Sequence, residues 1–599
     1  MVPWLLILVV IVMSLFTACS TTTSQTTQAT QATQSTKTTQ VTTSTAASTS
    51  TTAQGKWWDK FGTPQYGGKI TYSCAGLRGA NFDTYSLVAE ENDIWFEAMF
   101  EPDWTVSPDV WFMSANFAPD KYYSGNLAES WEITDATTIT VKVRQGIKWQ
   151  NIAPLNGREF TAEDVAAHYN RVLGWDGKTE PSPIYSGSTT NWASVTATDK
   201  YIVVYKFKAA SAQNFQSIAD RMALNQIEAP EFAAMSEVER QDWHNAVGTG
   251  PWMLEEYIDG SSFNYAKNPN YWGHDPRYPE NQTPYADELT MVVIEDTSTR
   301  TAALRTGKID TLGSGGNTTV AWKQADTLRA SNAELEYKQV PGGAASVILR
   351  VDKAPFTDAR VRQALNMSID REAIAKSIYG GNATGVAVGL ITATMNGYAY
   401  AYADWPQSLK DKYSYNPTEA KALLAEAGYP DGFKTNVVDS GANTEILEIY
   451  KAYFLDIGVD LDIRTMDSVT LEAFTRAGKH DQMATGGAAQ NFPPTRIVDL
   501  LYSKGGSDAI MWGLADPNGD AGYDALRDKF WAASDSSEAM NLMQQIDKYY
   551  IEQQWQVAAC ESYAYVLWQP WLKGYSGEGT QWSQGVLWSR LWIDSSLKK

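Results

Sequence analysis

From residue 67 onward the chain alternates between two apolar periods, and this alternation constrains its fold more than any other feature. GGKITYSCAG (67–76) reads as a first strand. In ITDATTITVKVRQGIKWQ (133–150), Ile139, Val141 and Val143 alternate with Thr140 and Lys142, the period of a half-buried strand within a hairpin. FTAEDVAAHYNRVLG (160–174) then switches to helical spacing. Thr161 can cap that helix, with Asp164 as capping-box carboxylate, and Val165, Tyr169 and Val172 fall on one face. FTDARVRQALNMSIDREAIAKSIYGG (356–381) predicts two helices, with Thr357 as cap, Val361, Leu365 and Ile369 recurring every four residues, and Gly380-Gly381 as the stop. YNPTEAKALLAEAGYPDGF (415–433) places Asn416 as cap, Pro417 at the first helical position, Glu419 in the first turn and Gly428 at the end. Strands alternating with helices through both halves predict α/β lobes with partly parallel sheets.

With 599 residues the chain exceeds a single core, so two or three domains are expected. A net charge of -21 argues against nucleic acid or an anionic membrane surface as the main partner. The three cysteines, Cys19, Cys74 and Cys560, show no CxxC and no metal-ligand spacing. Cys74 and Cys560 form either one disulfide or, the reading preferred here, two buried free thiols. The four histidines, His168, His244, His274 and His480, are isolated from one another, so neither a metal site nor a cofactor is expected.

WLLILVVIVM (4–13) is too short for a stable bilayer span and has the length of a signal-peptide core. The small residues Thr17 and Ala18 precede Cys19, and the stretch resembles a bacterial lipobox, in which the cysteine becomes the lipidated first residue. Phe16 stands where Leu is commonest, and no Lys or Arg precedes the apolar run. These features predict a signal peptide over 1–18 and a lipid anchor at Cys19. The Thr/Ser/Gln-rich tract that follows, to residue 55, cannot bury a core and is expected to act as a disordered tether. A flexible coil of that length has a mean span of roughly 30–35 Å.

Five segments, taken in order, carry a resemblance. They are LAESWEITDATTITVKVRQGIKWQNIAPLNGREFTAEDVAAHYNRVL (127–173), GTGPWMLEEYIDGSSFNYAKNPNYW (248–272), ADELTMVVIEDTSTRTAALRTGKID (286–310), KAPFTDARVRQALNMSIDREAI (353–374) and the 415–433 helix. Together they resemble the family 5 extracytoplasmic solute-binding proteins of ABC importers, the oligopeptide, dipeptide and nickel type. The resemblance implies an α/β, three-lobed periplasmic-binding-protein-like fold of class II type, as in the cluster of oligopeptide-binding proteins, with a ligand cleft between two α/β lobes. Lobe I would comprise 56–94, 193–315 and 567–599, lobe II 95–192, and lobe III 316–566. The implied role is capture of a small solute by hinge closure and delivery to permease and ATPase subunits. The implied protein is a monomer without enzymatic activity, lipid-anchored to the cell membrane on its periplasmic side or outer face.

Peptide binders of this family carry an aspartate for the peptide's free amino terminus, in a segment resembling W-x-A-D-Y-x-x-P-T. The matching segment here is GGAAQNFPPTRIVDLLYSKG (486–505), which puts Gln490 at the aspartate position and Gly487 at the aromatic. A neutral amide cannot replace a charge-assisted pair with an ammonium, a loss of about 1.5–3 kcal/mol. Either another acid serves, with Asp481 and Asp499 nearby, or the ligand lacks a free amino terminus. An oligosaccharide is the alternative ligand, for which Gln490, Asn491, Trp512, Tyr185 and Trp192 would supply amides and aromatic platforms. Two rival functions are a secreted glycoside hydrolase and a surface adhesin. No GxSxG, HExxH or Walker pattern is present, and GGNATGVAVG (380–389) follows a helix rather than a strand, unlike a dinucleotide loop.

Overall fold

The hairpin at 133–150 forms as its period requires: Ala128–Asp135 pairs with Thr138–Val143, whose Ile139, Val141 and Val143 are buried. The computed structural model describes residues 55–75, 82–85, 90–113, 117–182, 189, 191–219, 226–313, 319–505, 507–579 and 584–598. Cys19, the signal peptide and Tyr185 lie outside them, as does the tether but for residue 55. Lys56–Lys599 forms one unit.

Ile202–Phe207 and Trp192–Asp199 extend the hairpin to a four-stranded antiparallel sheet. The lobe boundary expected at residue 192 therefore falls at the first residue of a strand in this sheet. Hydrogen bonding between Thr138–Val143 and Ile202–Phe207 carries that body on to Phe207. Helix Ala162–Val172 covers the sheet with the expected face, Val165, Tyr169 and Val172, all buried. At its start the Thr161 N–H donates to Asp164 at 2.9 Å, and Arg158 grips both Asp164 oxygens at 3.0 and 2.6 Å.

A second, mixed sheet has eleven strands among the described residues. At one side, Phe433–Asp439 runs parallel to Val459–Thr465, with helix Thr444–Asp456 as the crossover. At the other, Lys69–Cys74 runs parallel to Glu288–Val293 and to Thr311–Leu312, with helix Thr297–Arg305 between them in sequence. These are the partly parallel α/β lobes that the alternation predicts. Two long antiparallel strands, Glu336–Leu349 and Gln556–Trp568, join the halves.

The helices of the second half follow their apolar spacing. Ala359–Met367 and Arg371–Ser377 bury Val361 and Leu365, with Ile369 buried between the two helices. Each such side chain contributes about 1.5–3 kcal/mol of burial free energy. The first cap is Asp358 rather than Thr357: its carboxylate accepts the Arg360 N–H at 2.8 Å. Pro417–Glu426 begins and ends as read, with Asn416 accepting the Glu419 N–H at 3.1 Å and Gly428 at a φ of 94°. Cys74 and Cys560 are buried free thiols, and burial pushes Cys560 up to about 11. Among the described residues no helix is long and apolar enough to cross a membrane.

Candidate functional site

The two long strands make a ribbon that runs from Glu336 opposite Trp568 to Ile348 opposite Gln556. Its register shifts on both sides of Ala344, next to Gly342-Gly343. Gly343 has a φ of 77°, and a Cβ on Gly342 would meet the Ala564 nitrogen and the Ser562 hydroxyl at 3.0 Å. Glycine lets the strands cross closely here, where the pairing is irregular.

A cavity of about 330 Å³ opens against this ribbon. Gln339, Pro341, Glu561 and Tyr563 form its floor, the segment from Pro108 to Phe112 one wall, and Thr384, Ala393, Thr394 and Asn396 the other. Its size suits a small ligand. The first wall is tied down from below. The Trp104 indole N–H donates to Glu101 at 2.9 Å, and the buried Arg590 grips both Glu101 oxygens at 2.9 and 3.1 Å. The second wall hangs on Asp547, in helix Ser536–Gln553. Its carboxylate accepts the backbone N–H groups of Leu390 at 2.8 Å, Ile391 at 3.3 Å and Tyr400 at 2.8 Å. Burial pushes Asp547 up to about 7 despite those three bonds.

Glu561 is the charged group of the floor and is only 2% exposed. It accepts the Thr392 hydroxyl and, at 3.3 Å, the Ala393 N–H. Burial raises its carboxyl above the ordinary range, against the lowering effect of those two bonds. Two more groups at the cavity have buried polar atoms without a partner among the described residues: the Thr384 hydroxyl and the Trp111 indole N–H. A carboxylate, a hydroxyl and an indole donor around one space of mixed polar and apolar lining can hold a polar ligand with an ammonium and carbonyl groups.

The residues expected from sequence are not all brought to this space. Gln490 and Asn491 are half-buried beside it. The Gln490 backbone pairs with the segment leading into the second wall: its N–H donates to the Leu390 carbonyl at 2.6 Å and its carbonyl accepts the Thr392 N–H at 3.0 Å. Trp512 is buried edge-on against Tyr550, and its ring fills the space a Cβ on Gly487 would need. Trp192 is buried among Tyr169, Tyr205 and Phe207, and its indole N–H donates to Ser217 at 3.0 Å. Both rings are thus packed inside rather than presented as platforms. Asp499 pairs with Arg527 at 2.7 Å, and Asp481 is exposed 3.5 Å from Arg464. Glu561 is a buried acid at the cavity that the sequence motifs do not single out. Its signal is a lone Glu inside the otherwise uncharged strand Gln556–Trp568, where an unpaired charge would be costly.

The histidines lie apart. His168 and His480 are buried, and His480, whose Nε2–H donates to the Met511 carbonyl at 2.8 Å, is pushed down to about 4 by burial. Among the described residues no group of three or more His, Cys, Asp and Glu is arranged to hold a metal ion.

Comparison with known proteins adds three findings. The family model "Bacterial extracellular solute-binding proteins, family 5 Middle" matches residues 123–509. The chain is 28% identical over 402 residues to the glutathione-binding protein GsiB of Salmonella typhimurium, covering 63% of this chain and 72% of that protein. It superposes on DppA of Helicobacter pylori in complex with the peptide STSA with a TM-score of 0.69, at 22% identity, over 89% of this chain and 99% of that one. It superposes likewise on AppA of Bacillus subtilis in complex with a nonapeptide, with a TM-score of 0.66, at 20% identity, over 89% and 100%.

Proposed function

Because the chain belongs to family 5 of the bacterial extracellular solute-binding proteins, we propose that its ribbon cavity captures a short peptide for an ABC importer, with Glu561 receiving the peptide's amino terminus. One observation carries this reading: the floor of the cavity holds a buried carboxylate that, among the described residues, accepts from two neutral donors. An ammonium completes that site by a charge-assisted bond, worth about 1.5–3 kcal/mol. Glu561 thereby takes over the task that Gln490 cannot perform. GsiB binds glutathione, and the DppA and AppA structures hold peptides, which agrees with a peptide ligand. The oligosaccharide alternative has less support, since Trp192 and Trp512 are buried in side-chain packing.

In this reading the ligand is bound between lobes that close by bending the ribbon, and permease and ATPase subunits receive it from the closed form. The protein works outside the cytoplasm as a binding component without catalysis. Cys19 carries the lipid anchor and the tract to residue 55 is the tether. Native mass spectrometry of the purified protein tests the ligand: adducts spaced as amino-acid residues support it, and adducts spaced as hexose or pentose units refute it. Fractionation of cells carrying Cys19→Ala tests the anchor, with release from the membrane expected and retention refuting it.

A further inference from the structure

The ribbon has a second face. Side chains alternate along a strand, and directly opposed residues share a face. Gln339 opposite Tyr565 and Pro341 opposite Tyr563 therefore share the ligand-cavity face with Glu561, which lies two residues from Tyr563. Glu336 opposite Trp568 and Lys338 opposite Val566 point the other way. On that side lies a larger cavity of about 570 Å³. It is closed by the short helix Trp57–Phe61, by the stretch from Leu572 to Ser576, and by Pro108 and Asp109, which it shares with the first cavity.

Three observations give this space a chemistry. Trp57, Phe61, Trp568 and Tyr575 make apolar walls. Lys60, Lys338 and Lys573 line it, and none of them has an ion pair among the described residues, in a chain of net charge -21. The ammonium groups of Lys60 and Lys338 lie over aromatic rings instead, at 5.0 Å from Phe61 and 4.7 Å from Phe112. Ser576 is nine-tenths buried, and its hydroxyl has no partner among the described residues. Two acids, Asp109 and Glu336, also line the cavity at its exposed side. The close approach that forms the space depends on Gly577, where a Cβ would come within 2.4 Å of the Lys338 Cβ.

We propose that this second cavity is a separate binding site for a small organic carboxylate with an apolar or aromatic body. The body lies between Trp57, Phe61 and Trp568. The carboxylate accepts from the lysine ammonium groups and from Ser576, replacing weak cation–π contacts by charge-assisted bonds. The site is independent of the peptide reading, because Glu561 is on the opposite face of the ribbon.

The probes are 4-phenylbutyrate and its neutral amide, titrated into the full-length protein by calorimetry and saturation-transfer NMR. The acid is expected to bind at least about tenfold more tightly than the amide, the ratio that one charge-assisted bond sustains. Lys338→Gln, Lys573→Gln and Lys60→Gln are each expected to shrink that ratio, while Glu561→Gln leaves it unchanged. Equal binding of acid and amide, no saturable binding of the acid, or loss of binding in Glu561→Gln overturns the proposal. The lysine side chains are exposed or half-buried, so these variants fold, which far-ultraviolet circular dichroism checks.

Discussion

The Asp547 carboxylate accepts the Leu390 backbone N–H at 2.8 Å, joining a helix near the C-terminus to the segment that leads into a wall of the ribbon cavity, 157 residues earlier. Ile391 and Tyr400 donate to the same carboxylate, and Gly389 leaves it room: a Cβ there would lie 2.2 Å from the Asp547 Oδ1. Asp547 does not line the cavity; its bonds to Leu390, Ile391 and Tyr400 flank the segment that carries Ala393, Thr394 and Asn396. Asp547→Ala would leave three backbone donors without an acceptor, each unmet buried donor costing about 1–3 kcal/mol. We expect unfolding in urea to show a loss of at least about 2 kcal/mol, with weaker peptide binding at temperatures where the variant remains folded.

The same carboxyl makes stability depend on pH. Its folded-state value, about 7, lies above its ordinary value of 3.8. The unfolded chain therefore gives up this proton more readily, and stability is lost as pH rises from about 4 to about 7. One pKa unit corresponds to about 1.4 kcal/mol, so the loss is several kcal/mol at most. Relative to the native protein, Asp547→Asn should flatten the slope in that window. Urea midpoints measured in steps across it check this, and parallel slopes in the two proteins would contradict it.

Glu561→Gln keeps the size of the side chain and removes the charge. Peptide affinity at neutral pH should fall by about ten- to a hundredfold, and the discrimination against N-acetylated peptides should disappear. In the native protein burial holds Glu561 above the ordinary carboxyl range. An ammonium lowers it again, so binding releases protons at mildly acidic pH and affinity drops as pH falls through the raised value. Calorimetry in buffers of different ionisation enthalpy measures that proton release directly. An unchanged affinity in Glu561→Gln would send the amine elsewhere.

Closure should respond to pH in the opposite direction. The Ser536 hydroxyl donates to Asp120 at 3.0 Å, and nearby the Ala212 N–H donates to the Ala533 carbonyl at 2.8 Å, two contacts that tie the start of helix Ser536–Gln553 and the residues just before it to segments flanking the four-stranded sheet. Burial in this contact pushes Asp120 up to about 6. If opening returns it to its ordinary value, the closed form holds the proton more tightly. Closure is then favoured at low pH and loses support as pH rises through about 6. Fluorophore pairs placed on the two bodies should report a larger closed fraction at pH 5 than at pH 7, and Asp120→Asn should abolish that difference.

Much of the fold was legible because its signals are local. A period of two at 139–143, a period near four at 361–369, and the Asn416-Pro417 start each act over a single turn or strand, and each forms as read. The order of the five segments was sufficient to name the family. The first cap of the 356–381 region moved by one residue, from Thr357 to Asp358, because both side chains can serve and only backbone geometry chooses between them.

The sequence by itself therefore determined the element types, the family and the lack of an aspartate at position 490. Only the tertiary structure decided which acid faces the ribbon cavity and which aromatics do not. Trp192 and Trp512 look like sugar platforms in a list of residues, yet each is enclosed by neighbours that no local pattern reveals. Glu561 comes to line the cavity because the strand carrying it pairs with Glu336–Leu349 and meets Thr392 and Ala393, 169 and 168 residues away. Periodicity and caps are short-range consequences of backbone hydrogen bonding, whereas a cavity is made where distant segments meet, and its chemistry is set by what that meeting buries.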